Sequence, residues 1–233
     1  MNNADTIQKQ DLLSKSFVFG ILDHEIQLEL AEKARLVRYS AGDTIFDQGS
    51  TGQSMMAIAK GSVRVSALAP TARNVVLADL QAGDVFGEIA LLDGGERSAD
   101  VRASTNCELV VLERRHVLPY LKGQPDLAVK MITLLCQRLR KSDDRMMEFA
   151  FLQLPERIAR TLLRISGGLD GDPVNAKDRL SLSQSEIADM IGGTRENVNR
   201  CLRRWQKAGI IDLRDGWLII LDRNKLADFA GDT

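Results

Sequence analysis

The chain has 233 residues, 44% of them hydrophobic and 27% charged, with a formal net charge of −1. That length allows one or two domains with a sizeable core, and no apolar run approaches the roughly 18 residues that a membrane span needs. The three cysteines, Cys107, Cys136 and Cys201, are odd in number and far apart, which argues against a disulfide framework and for a reducing, cytoplasmic setting.

The first twenty residues lack a basic start followed by a long apolar core, so a secretory signal is not expected. Residues 6–34 read as mostly polar helix. From about Arg35 to Leu112, short apolar stretches ("SVRVSAL", "NVVLADL", "CELVVLE") alternate with Gly-containing breaks ("SAGD", "DQGSTG", "KGS", "QAGDVFG"). Short strands at such spacing predict a β barrel or sandwich.

Within this region, "GEIALLDGGERSA" (87–99) sets a bare backbone, a lone acid, an apolar turn and an arginine close together. Gly87 would let the backbone approach a ligand. "EIALL" could begin a short helix whose free N–H groups face an anion. Arg97 would grip a phosphate with two prongs, and Ser98 would add a hydroxyl. Glu88 repels phosphate, but it suits a sugar hydroxyl on the same ligand. The alternative is a surface loop with a solvated Glu and Arg, since Gly-rich fragments often match by chance.

After Pro125 the period becomes helical. Ala128, Ile132, Leu135, Leu139, Ser142, Met146 and Phe149 follow alternating spacings of four and three, an a/d seam suited to a dimer. An ordinary amphipathic helix packed on its own domain is the alternative. Ser142 is the one polar residue in the seam. "LPERIARTLLRI" (154–165) begins another helix, and the Gly-, Asp- and Pro-rich stretch 166–178 reads as a loop.

"LSQSEIADMIGGTRENVNRCLRRWQKAGII" predicts two helices around a tight break. Ser183 and Glu186 form a capping box. Gly192-Gly193 ends the first helix, and Thr194 caps the second. Val198, Leu202 and Trp205 give the second helix a buried face. Arg195, Glu196, Asn199, Arg200 and Arg203 lie on the other. Residues 195–207 hold five bases and one acid, so this is a helix-turn-helix whose basic face can enter a major groove. Arginine matches guanine O6 and N7, and glutamate accepts from cytosine N4. A solvated basic face is the alternative. Two apolar runs flank Asp215-Gly216, a hairpin signal, which adds a wing.

Taken together, these motifs resemble the cyclic-AMP receptor protein family of bacterial transcription regulators (CRP/FNR), from about Leu12 to Leu221. "GEIALLDGGERSADVRASTNCEL" resembles its phosphate-binding cassette, "AFLQLPERIARTLL" its hinge and "GGTRENVNRCL" its recognition helix. The resemblance implies an α+β fold in three parts. A cyclic-nucleotide-binding, jelly-roll-like β-roll with flanking helices occupies 1–124, a dimerisation helix and hinge 125–153, and a winged helix-turn-helix domain 154–233. It implies a cyclic-nucleotide site of Gly87, Glu88, Ile89, Ala90, Arg97, Ser98 and Ala99. Glu88 would meet the ribose, and Arg97 and Ser98 the phosphate. Val65 and Leu77 would line the base, and Arg138 would lie near the ligand. It implies a DNA interface of Ser183, Ser185, Thr194, Arg195, Glu196, Asn199, Arg200 and Arg203. Arg195, Glu196 and Arg200 would read a palindromic TGTGA-like site.

In cAMP-responsive members, two adjacent hydroxyl residues on the dimer helix meet the adenine amino group. Here they are Ser142 and Asp143. An acceptor-only carboxylate suits an adenine amino group and also the guanine N1–H and N2–H₂, so cAMP is favoured and cGMP stays open. The expected partners are a second copy of the chain, double-stranded DNA and RNA polymerase. The loop at 166–178 lies where family members touch polymerase, but its composition differs too much for residue-level transfer.

A different effector, or activity without ligand, is the second reading. Haem or an iron–sulfur cluster is disfavoured, because the first forty residues have no cysteine, and His24 and His116 have no metal-ligand spacing. Both histidines are expected to be solvated or locally hydrogen-bonded, and all three cysteines to be buried structural thiols. An enzyme that hydrolyses a cyclic nucleotide would need several metal ligands around an open position, so no enzyme and no metal are expected.

Overall fold

The computed structural model describes residues 3–68, 74–167, 178–214 and 216–231. The chain divides into two compact units, Met1–Leu139 and Arg140–Thr233.

In the first unit, α1 (Asn3–Ser14) and α2 (His24–Lys33) precede the strands β1 (Arg35–Tyr39), β2 (Thr44–Phe46), β3 (Ser54–Lys60), β4 (Ser62–Leu68), β5 (Asn74–Gln81) and β6 (Val85–Phe86). A short helix α3 (Glu88–Asp93) follows, then β7 (Asp100–Ala103), β8 (Cys107–Glu113), α4 (Arg114–Gly123) and the long α5 (Pro125–Phe151). The strands form two antiparallel four-stranded sheets, β1-β8-β3-β6 and β2-β7-β4-β5. This is the sandwich that the short-strand pattern predicts.

β8 explains why "CELVVLE" is a continuous apolar run rather than an alternating one. Leu109 and Val111 face the space between the sheets, with Ile58, Val63, Phe86 and Val101. Val110 and Leu112 face the helices instead, with Leu13 of α1, Leu30 of α2 and Leu127 and Met131 of α5. A strand covered on both faces needs apolar residues at every position. The α4 helix was not anticipated from the sequence. Its Val117 closes the same helical layer.

The second unit contains the end of α5, then α6 (Leu154–Ile165), β9 (Arg179–Leu180), α7 (Gln184–Ile191), α8 (Arg195–Lys207), β10 (Ile211–Arg214), β11 (Trp217–Ile220) and α9 (Arg223–Ala230). The expected helix 154–165 is α6, and its entry is fixed by the Gln153 N–H donating to Glu156 Oε2 at 2.7 Å. The wing is the antiparallel pair β10–β11, with β9 added on the β11 side. Asp215 and most of the expected 166–178 loop lie outside the described residues. The unit's core joins Ile158 and Leu162 of α6, Ile187 of α7, Val198, Leu202 and Trp205 of α8, and Leu226 of α9. The α9 helix, not anticipated from the sequence, is capped by Asp222, which accepts from the Lys225 N–H at 3.0 Å.

One expectation about the thiols is corrected. Cys107 and Cys201 are buried, but Cys136 is exposed. It is on α5 one residue beyond the seam position Leu135, off the face that carries Leu127, Met131 and Leu134 into the core. Phe149, the last seam position, packs on the helix-turn-helix, and a Cβ added at Gly192 would fall 2.7 Å from its Cε1. Of the other large apolar seam residues, Leu135 is half-buried, and Ile132, Leu139 and Met146 stay uncovered at 58%, 62% and 62% exposed. Among the described residues, no helix is long and apolar enough to cross a membrane.

Candidate ligand pocket and nucleic-acid interface

The cassette forms where β6 turns into α3. Gly87 takes φ 78° there, and a Cβ would come within 2.6 Å of Arg97 Nη1. Both the left-handed backbone and the close approach require glycine.

Arg97 follows α3 and turns inward, leaving only 5% of the residue exposed. Its Nη1 donates to the carbonyls of Ser54 at 2.8 Å and Gly87 at 3.0 Å, and its Nη2 to Ser54 Oγ at 3.1 Å. Its Cζ lies 4.1 Å from the centre of the Phe46 ring. Burial pulls the Arg97 pKa below its ordinary value, and the neighbouring Glu88 carboxylate opposes that shift.

Glu88 is fully buried. Its Oε1 accepts from Arg138 Nη1, and Arg138 Nη2 donates to the Val85 carbonyl. α5 thus delivers Arg138 into the cassette, four residues after the buried Leu134. Among the described residues, Glu88 Oε2 and Arg97 Nε are buried without a hydrogen-bond partner. An unpaired buried donor or acceptor costs about 1–3 kcal/mol. One molecule with an anionic oxygen for Arg97 and a hydroxyl for Glu88 would satisfy both groups.

The structure therefore brings Gly87, Glu88, Arg97 and Arg138 together. Of their expected companions, Ala90 and Ala99 are buried, and Ile89 and Ser98 are exposed. Val65 packs at the edge of the sandwich core. Leu77 falls at a bulge, because Val65 pairs with Ala78 and Ser66 with Val76, and it is 44% exposed. Ser142 and Asp143 are exposed on α5 within the second unit. Phe46 and Ser54 were missed. Each reaches Arg97 across more than forty residues of sequence, through strand neighbours that no local motif announces.

The helix-turn-helix forms as its caps predict. Ser183 Oγ accepts from the Glu186 N–H at 3.1 Å, and Glu186 Oε2 accepts from the Ser183 N–H at 2.9 Å. Gly192 ends α7 with φ 62°. Thr194 Oγ1 accepts from the Asn197 N–H at 3.3 Å. Val198, Leu202 and Trp205 are buried, and Arg195, Glu196, Arg200 and Arg203 are exposed. Glu196 and Arg200 pair at 3.1 Å along the helix. Asn199 departs from the expected exposed face, being half-buried with its Oδ1 unpartnered among the described residues. Ser183, Ser185 and Arg195 line a groove of about 520 Å³ together with Arg214 and Trp217 of the wing. On the wing, Arg179 Cζ sits 4.3 Å from the Trp217 ring centre.

His24 is exposed and His116 half-buried. Among the described residues, no cluster of His, Cys, Asp and Glu could hold a metal ion.

The family model of a cyclic nucleotide-binding domain matches residues 36–123, and that of a Crp-like helix-turn-helix domain matches residues 156–229. A protein of Thermus thermophilus named cyclic AMP receptor protein is 32% identical over 212 residues, covering 91% of this chain and 94% of its own. A CRP-like cAMP-activated global transcriptional regulator of Mycobacterium tuberculosis is 26% identical over 220 residues, covering 93% and 97%. The solved structure of the c-di-GMP responsive global regulator CLP of Xanthomonas campestris shares the fold, with a TM-score of 0.75 at 23% identity over 85% of this chain and 99% of that one. The matched domains account for the sandwich with its buried arginine and glutamate and for the winged helix-turn-helix with its basic face. The chain belongs to the CRP family of cyclic-nucleotide-binding transcription regulators, which bind DNA as dimers and are not enzymes.

Proposed function

We propose that this regulator is activated by cAMP and then binds a palindromic TGTGA-like site as a homodimer. The observation that carries the reading is the pair of unsatisfied buried groups, Arg97 Nε and Glu88 Oε2. A cyclic nucleotide offers a phosphate to the first and a ribose 2′-hydroxyl to the second. The names of the Thermus and Mycobacterium relatives support cAMP as the nucleotide.

In this reading the chain works in three parts: a nucleotide-binding domain at 1–124, a dimerisation helix and hinge at 125–153, and a DNA-binding domain at 154–233. Val65 and Leu77 line the base, and Ser98 assists Arg97 on the phosphate. Ser142 and Asp143 meet the base from the dimer helix. Arg195, Glu196 and Arg200 read base edges, with the two recognition helices about 34 Å apart, one DNA turn. The ligand gates DNA binding only if it binds the DNA-competent state more tightly, since tightness alone shifts no equilibrium. The protein acts in the cytoplasm, with RNA polymerase as its further partner.

cGMP is the second candidate, favoured by one residue. The Asp143 carboxylate can accept from both N1–H and N2–H₂ of guanine.

Calorimetric titration of cAMP into the parent and into Arg97→Ala tests the reading. The expected result is saturable heat with the parent and at least a hundredfold weaker binding with the variant, since a charge-assisted bidentate contact is lost. Equal binding by the two proteins would refute the assignment of Arg97 to the phosphate.

A further inference from the structure

The Arg97 guanidinium is held in a definite way. Nη1 spends both of its protons on the carbonyls of Ser54 and Gly87, and Nη2 spends one on Ser54 Oγ. One face of the group is covered by the Phe46 ring, 4.1 Å away. What remains is a single edge, with Nε–H unpartnered among the described residues and a second proton on Nη2 beside it. That edge is the one that binds two oxygens of an anion side by side.

We propose that Phe46 and Ser54 are positioning residues for the phosphate contact. They seat the Arg97 guanidinium by one face and one edge so that its Nε/Nη2 edge is presented to the phosphate of the nucleotide. This rests on the cyclic-nucleotide reading above and adds to it two residues from outside the cassette. The seat has a physical purpose. A free arginine samples many rotamers, and ordering it on binding costs affinity. A cation over an aromatic face is held most strongly when water is excluded, and Arg97 is 95% buried. Phe46 comes from β2, which pairs with β7 through Phe46 and Val101. Ser54 opens β3 in the other sheet. The seat therefore joins both sheets of the sandwich at the arginine.

The test compares Phe46→Leu, Phe46→Tyr and Ser54→Ala by calorimetric titration with cAMP and with cGMP, and by the NMR resonance of Arg97 Nε–Hε in the ligand-free protein. Leucine keeps an apolar side chain but has no π face, so Phe46→Leu should bind about tenfold more weakly. Phe46→Tyr keeps the face and should bind within about twofold of the parent. Ser54→Ala loses only the hydroxyl acceptor and should bind about fivefold more weakly. It carries the binding test if Phe46→Leu does not fold. The Hε resonance should lie upfield in the parent, under the Phe46 ring current, and return downfield in Phe46→Leu. Parent-like affinity in both Phe46→Leu and Ser54→Ala overturns the proposal, and so does a tyrosine variant as weak as leucine. If the parent binds neither nucleotide, the cyclic-nucleotide reading fails and the NMR arm decides the seat alone. A ring-shifted Hε that Phe46 controls keeps the seat, and an unshifted one removes it.

Discussion

Arg138, on the long helix α5, donates to the fully buried carboxylate of Glu88, the first residue of the cassette helix α3. The pair links two elements fifty residues apart and gives a buried carboxylate an opposite charge. Arg138→Ala leaves that charge without its partner. Breaking a fully buried pair costs about 3–5 kcal/mol. The Arg138 side chain is 30% exposed, so a smaller loss, roughly 2 kcal/mol, is expected. Chemical denaturation of the variant measures it, and an unchanged midpoint would show the pair to be idle.

Phe149 and Gly192 make the second prediction. Gly192→Ala forces a Cβ into a left-handed position, at about 1–2 kcal/mol, and also into the Phe149 ring. Gly192→Ala should therefore cost less in a Phe149→Ala background than alone. The thermal stabilities of the two single variants and the double variant close the cycle. Additive losses would mean that the ring and the turn do not press on each other.

The cysteines divide by burial. Burial pushes the Cys107 and Cys201 thiols above their ordinary pKa, while Cys136 is exposed. In the native protein a thiol reagent should modify Cys136 rapidly and the other two only on unfolding, as peptide mapping of the labelled chain would show. The pH effect follows in sign. Below the unfolded thiol pKa of about 8.5, both states are protonated and stability is unaffected. Above it the unfolded chain ionises first, so stability falls as pH rises towards the folded values.

Asp143 should set the choice between purines. Asp143→Ser removes an acceptor that suits guanine N1–H and N2–H₂, so the affinity ratio should shift towards cAMP by about tenfold. Competition calorimetry with both nucleotides reads the ratio, and an unchanged ratio would take Asp143 out of the site.

Much of this was legible in the sequence because its causes are local. The caps at Ser183, Gly192 and Thr194 are set by residues within four positions of each other, and the structure keeps all three. The turn at Gly87 and the helix after it are local in the same way. What escaped depends on distant neighbours. Phe46 lies just before "DQGSTG" in the sequence, and only the sheet order brings it to Arg97. Phe149 fits the heptad spacing and stays 43% exposed, but its close approach to Gly192 joins residues distant in sequence, and a residue without a side chain announces no contact. Cys136 was misjudged because a thiol's average burial says nothing about which face of α5 it occupies.

The central claim is that a cyclic nucleotide held by Arg97 and Glu88 switches on DNA binding by the dimer. The most direct measurement is fluorescence anisotropy of a labelled palindromic TGTGA-type duplex titrated with the protein, with and without saturating cAMP, at one fixed salt concentration. The account predicts tight, sequence-selective binding with cAMP and at least tenfold weaker binding without it. Equal affinity under both conditions would contradict it.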